Sequence, residues 1–172
     1  MEEQEKSSSE STISDQEKEA IRVICQNRLI PFCSFVNLRY TPIWLHKQIA
    51  EALERVERGE CKRLMLFVPP RHGKSELSSI LFPAWYLGKN PDKEIIVASY
   101  SQELAEKFGY DTRGLVDDAE YRELFNTRLR ADSKSKSKWL TKEGGGYTAV
   151  GVGGAITGRG ADLLIIDDPV KN

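Results

Sequence analysis

Polar and apolar positions divide the chain into stretches of different period. Residues 1–14 are rich in Glu and Ser and carry almost nothing apolar. Such a stretch cannot bury enough surface to offset chain entropy, so a disordered acidic tail is expected there. From about Asp15 the pattern predicts a short helix with Ile21, Ile24 and Cys25 on its apolar face, the start of a helical lead-in over 15–40. A clearer helix follows. Leu45, Ile49, Leu53 and Val56 recur at helical spacing, with Thr41 as the expected cap, Pro42 in the first turn and Gly59 as the stop.

The pattern then changes. Leu64–Val68 is apolar at every position, as are Ile95–Ala98 and Leu163–Ile166. Runs of this kind predict strands covered on both faces, which is the parallel-sheet signature. Helices are expected after the first two, from Lys74 and from about Gln102 with Ser101 as cap, and Pro83 should kink or split the first. Strand, helix, strand, helix, strand is an α/β order with a parallel sheet and flanking helices. Residues 144–160 hold eight of the 13 glycines and are expected to be turns around short extended pieces.

Composition narrows the class. A length of 172 residues with 40% apolar positions suits one core, and the longest apolar runs are far too short to cross a bilayer. No apolar stretch follows Met1, so the expected location is cytoplasmic, without secretion. Three widely spaced cysteines and two histidines argue against a disulfide framework or a zinc site. The net charge of -1 conceals an asymmetry: residues 1–20 hold seven acidic and two basic side chains, leaving 19 and 23 in the remainder. An acidic tail on a mildly basic body is compatible with a nucleic-acid partner.

Two motifs carry chemistry. Val68-Pro69-Pro70-Arg71-His72-Gly73-Lys74-Ser75 matches the second half of the phosphate-binding pattern, with Val68 in place of the leading Gly. Backbone N–H groups from Arg71 to Ser75, where a helix begins, can face anionic oxygens. In this reading Arg71, His72, Gly73, Lys74 and Ser75 bind ATP, Lys74 reaches the β- and γ-phosphates and Ser75 holds Mg²⁺; the alternative is a chance Gly-Lys-Ser at a helix start. The last apolar run passes directly into Asp167-Asp168-Pro169. Four apolar residues then Asp is the Walker B pattern, with Asp167 on Mg²⁺ and Asp168 beside the attacking water. Pro169 favours extended geometry at Asp168. Asp-Asp-Pro can also be no more than a turn.

Taken together, PPRHGKSE at 69–76, Ala98-Ser99-Tyr100-Ser101, and GVGGAITGRG at 151–160 followed by LLIIDDPVKN resemble the ATPase half of tailed-phage large terminase subunits. The likeness covers about residues 35–172. It implies a helicase-like P-loop NTPase domain over 41–172, with ATP and Mg²⁺ as cofactors, working in the cytoplasm of a bacterial host. It also implies a motor that drives double-stranded DNA into a procapsid as a homo-oligomeric ring on the portal, with a small terminase subunit as partner. Lys74, Asp168 and an arginine would be catalytic, Arg71 being the first candidate and Arg159 the second. The segment before Leu64 resembles the adenine-side region, with His46 or Gln48 near the base.

Between 128 and 142 lie Arg128, Arg130, Lys134, Lys136, Lys138 and Lys142, opposed only by Asp132, with Trp139 among them. Either this segment tracks DNA phosphates or it is a solvated loop with Trp139 turned into the core. In helicase-like sheets a later strand lies between the phosphate-loop strand and the Walker B strand. The domain is therefore expected to be incomplete at its C-terminal end, without the nuclease domain and with little ATPase activity of its own. Competing expectations are a helicase-like translocase and a catalytically dead prophage fragment; a phosphoryl-transfer kinase would need an acceptor site that the sequence does not offer.

Overall fold

A computed structural model describes residues 13–133, 135–154, 158 and 160–170. The expected tail over 1–14 lies outside these residues except for its last two. Ser14 instead caps helix α1 (Asp15–Asn27) through a capping box: its hydroxyl accepts from the Glu17 N–H, and the Glu17 carboxylate accepts from the Ser14 N–H. Of the expected apolar face Cys25 is buried and Ile21 packs against the core, but Ile24 points to solvent. Helix α2 (Leu29–Val36) starts where the buried Glu54 carboxylate accepts from the Leu29 N–H at 2.8 Å and from Arg28 Nε at 3.2 Å. A charge buried to 4% exposure is tolerable because both partners compensate it.

Helix α3 (Trp44–Glu57) begins two residues later than expected. Thr41 does not cap it; Ile43 is the cap residue, and its N–H donates to Nδ1 of His46 at 3.2 Å. Gly59 does close the helix, since its N–H reaches the Val56 carbonyl and that of Glu60 reaches Arg55.

The helix after the phosphate-loop motif is split, as Pro83 predicts. It runs as α4 (Lys74–Glu76), a π-helical turn (Leu77–Leu81) and α5 (Phe82–Lys89), and the Phe82 N–H reaches back five residues to the Leu77 carbonyl. Pro83 has no N–H for the carbonyl of Ser79. The buried Tyr147 hydroxyl donates to that carbonyl instead, at 3.3 Å. A long-range side chain thus completes a helix that its own sequence interrupts.

The sheet has four strands in the order β2-β3-β1-β4, with β1 Glu94–Ser99, β2 Lys138–Leu140, β3 Gly146–Gly151 and β4 Leu163–Asp167. β1 is central and parallel to both β3 and β4, whereas β2 runs antiparallel to β3, so the sheet is mixed rather than purely parallel. Residues paired across parallel strands share a face. One face therefore carries Ile95, Val97 and Ser99 with Tyr147, Ala149 and Gly151 on one side and Leu163, Ile165 and Asp167 on the other. The main core lies against this face, joining it to Leu77 and Leu81 of the π turn and to Ala105 and Phe108 of helix α6 (Gln102–Asp117). Ser101 caps α6 as expected, accepting from the Leu104 N–H. Helix α7 (Ala119–Leu124) adds Tyr121 to an aromatic group with Phe32 and Phe125, ring centroids 5.1–6.2 Å apart.

Two expected strands differ from their sequence reading. Leu64–Val68 is extended but forms no ladder among the described residues: Leu64, Leu66 and Val68 touch the core, while Met65 and Phe67 are 81% and 92% exposed. One face of this run is bare, unlike that of a strand buried on both sides. β4 forms as expected, yet Leu164 and Ile166 on its second face are more than half exposed.

The glycine-rich region contains β3, a full six-residue strand, in addition to turns. Trp139 lies in the core: it is fully buried, stacks on Tyr147 with centroids 5.4 Å apart and planes 8° apart, and donates from Nε1 to the Gly109 carbonyl at 3.0 Å. Trp139→Ala should cost about 3–5 kcal/mol, the range for emptying a buried aromatic site. Urea denaturation with an unchanged m-value would measure it.

Candidate phosphate-binding site

The site forms where the extended segment ends. Arg71 and Gly73 both adopt left-handed backbone, with φ of 63° and 70°. Gly73 suits that conformation; a Cβ there would also lie 2.8 Å from Nε2 of His46. The loop is braced from two directions. His72 donates from Nδ1 to the Pro70 carbonyl at 2.8 Å, and His46 on α3 donates from Nε2 to the His72 carbonyl at 3.0 Å. The helix then starts at Lys74, and the Leu77 N–H takes the Gly73 carbonyl.

Lys74 joins the two motifs. Its ammonium lies 3.2 Å from Oδ1 of Asp167 and 2.5 Å from Oδ1 of Asp168, at the carboxyl end of β4. Burial works against the charged form of Lys74, but the hydrogen bonds to Asp168 and Asp167 more than offset it, so its pKa lies above the ordinary lysine value. The two carboxylates differ. Asp167 is 4% exposed as a side chain, whereas Asp168 is 67% exposed. Asp168 is not extended as Pro169 suggests: its φ is 42°, a left-handed conformation that Asp tolerates, and its carboxylate turns back to Lys74.

Beside this pair sits a residue that the sequence reading quoted within a motif but gave no site role. Ser99 ends β1 in register with Asp167, is fully buried, and its Oγ has no hydrogen-bond partner among the described residues. A buried hydroxyl without a partner is costly unless a ligand or water supplies one. No group of three or more His, Cys, Asp and Glu side chains forms a metal cage among the described residues. Magnesium bound with phosphates needs none, since one or two carboxylates and waters complete its octahedron. The half-buried Ser75, the buried Asp167 and the orphan hydroxyl of Ser99 fit a phosphate-bound Mg²⁺.

The remaining candidates are spread out. Gln48 is exposed on α3, and His46 touches the loop backbone. Arg71 is exposed and forms no ion pair among the described residues; Arg159 and Lys134 lie outside them. In the basic segment, Arg128 donates to the Phe125 and Thr127 carbonyls, Arg130 pairs with Asp132, and the Lys136 ammonium lies 5.7 Å from the centre of the Tyr110 ring. Lys138 is exposed on β2. Three of the six basic side chains thus already have partners among the described residues.

A family model described as the terminase large subunit, T4likevirus-type, N-terminal, matches residues 65–172, more than half of the chain. The chain belongs to this family. No curated protein and no solved structure matches it. The terminase match starts within the extended segment and takes in the loop, all four strands and both carboxylates, so the whole Lys74 constellation lies in the terminase region. No helix among the described residues is long and apolar enough to cross a membrane.

Gly73→Ala should destabilise the terminase chain by about 1–2 kcal/mol from the left-handed backbone alone. The clash with His46 adds to this, and thermal unfolding would show the sum as a lowered Tm.

Proposed function

We propose that this terminase chain binds Mg·ATP at the loop Pro69–Ser75 and hydrolyses it within a motor that packages double-stranded DNA. The reading takes the extended segment, loop, helix and sheet as a P-loop NTPase arrangement. The observation that supports it best is the meeting of Lys74, at a helix start behind a left-handed loop, with Asp167 and Asp168 at the end of β4. Ligands of open α/β sheets bind at the carboxyl ends of the strands.

The residues divide the work. Backbone N–H groups of Arg71 to Ser75 face the phosphates, and Lys74 exchanges Asp168 for phosphate oxygen. Ser75 and Asp167 would hold Mg²⁺, which neutralises charge developing on the phosphates. Asp168, released and exposed, orients the attacking water. Arg71 approaches the γ-phosphate from the loop. DNA, a portal ring and a small terminase subunit are the partners this reading assigns, with Lys136 and Lys138 as the most available basic contacts to DNA phosphate.

Titration with a non-hydrolysable ATP analogue tests the reading. Affinity should require Mg²⁺, and Lys74→Ala should weaken it roughly 10- to 100-fold, the scale of a lost charged hydrogen bond. Asp168→Asn removes the carboxylate that competes for Lys74, so it should bind at least as tightly as the parent chain. Equal affinity in the parent and Lys74→Ala would overturn the assignment.

A further inference from the structure

The phosphate loop is held by a side chain from outside its own motif. His46 stands in the first turn of α3, and its two ring nitrogens have different partners. Nδ1 accepts from the Ile43 N–H at 3.2 Å, which leaves Nε2 to carry the proton. A carbonyl can only accept, so Nε2–H donates to the His72 oxygen at 3.0 Å. The partners therefore select one neutral tautomer. Tyr40 packs on the ring with centroids 5.6 Å apart.

The consequence follows from peptide planarity. In a trans peptide the C=O of one residue and the N–H of the next point in opposite directions. With its carbonyl drawn toward α3, the His72–Gly73 peptide presents the Gly73 N–H away from α3. The same geometry repeats one step earlier: His72 Nδ1 holds the Pro70 carbonyl, which turns the Arg71 N–H the other way. The left-handed φ values at Arg71 and Gly73 accompany these two turned peptides. His46 also occupies the space a side chain at 73 would take, with its Nε2 2.8 Å from the position of such a Cβ.

We infer that His46 is a positioning residue for the anion site: its Nε2–H fixes the direction of the Gly73 N–H, so that this donor is aimed at a phosphate oxygen before nucleotide arrives. This deepens the nucleotide reading above and rests on it for the identity of the anion. It gives α3, which precedes the matched terminase region, a direct share in the loop.

Two substitutions separate the roles of the ring nitrogens. His46→Asn keeps a short acceptor for the Ile43 N–H but cannot reach His72. His46→Gln restores a donor at about the distance of Nε2. In the nucleotide-free chain the Gly73 amide order parameter should fall from about 0.85 toward 0.6 in His46→Asn and recover in His46→Gln. Affinity for Mg²⁺ with the non-hydrolysable ATP analogue should drop roughly 3- to 10-fold in His46→Asn, the scale of one net hydrogen bond, and return in His46→Gln. Thermal unfolding of both variants should match the parent, which separates loop positioning from general destabilisation. An unchanged order parameter and affinity in His46→Asn would overturn the inference. A parent chain that binds no nucleotide would instead overturn the ATP reading, and the order parameter would still decide the role of His46.

Discussion

One half-buried cation organises this molecule. Lys74 and its carboxylate partner Asp168 are 94 positions apart in the chain, and two carboxylates reach the ammonium of Lys74 at the end of the sheet. Without Lys74 the nearly inaccessible Asp167 would be a charge with no compensating cation among the described residues, which a low-dielectric interior tolerates poorly. Without the carboxylates Lys74 would lose the hydrogen bonds that offset its partial burial. In the nucleotide reading proposed above, an anionic ligand would offer Lys74 the same charge that Asp168 offers.

That contact depends on where the fold puts a strand end and a helix start. β1 fixes the strand end, since its register places Ser99 beside Asp167. The helix start is held from the sheet's inner face, where the Tyr147 hydroxyl supplies the Ser79 carbonyl with the donor that Pro83 lacks. Tyr147 in turn stacks on Trp139, whose indole is tied to α6. A chain of packed aromatics and single hydrogen bonds therefore links β2, β3, α6 and the π turn behind the loop. His46 closes the same loop from α3.

Much of this was legible in the residues. The caps at Ser101 and Gly59, the split at Pro83, β1, β4 and the presence of the Lys74 and Asp167 motifs all follow from local pattern. What misled was context. Leu64–Val68 reads as a buried strand, yet Met65 and Phe67 lie open and no strand pairs with the segment among the described residues. β3 was obscured because Gly-rich sequence normally marks turns; it forms a strand because β1 on one side and β2 on the other supply its ladder. Trp139 stood among lysines and could have faced DNA, but burial against Tyr147 outweighed its charged neighbours. The left-handed turn at Asp168 ran against the preference set by Pro169, because it brings the carboxylate to Lys74.

By itself the sequence determined the α/β class, the order of loop and acidic strand, and the candidate residues Lys74, Ser75, Asp167 and Asp168. These rest on short-range physics: apolar period, cap chemistry and the spacing of a few side chains. Tertiary structure alone decided that Lys74 bridges both carboxylates, that Ser99 stands orphaned beside Asp167, and that His46 grips the loop rather than standing free on its helix. Each of those depends on groups brought together from distant parts of the chain, and their positions are set by packing and register that no local pattern encodes.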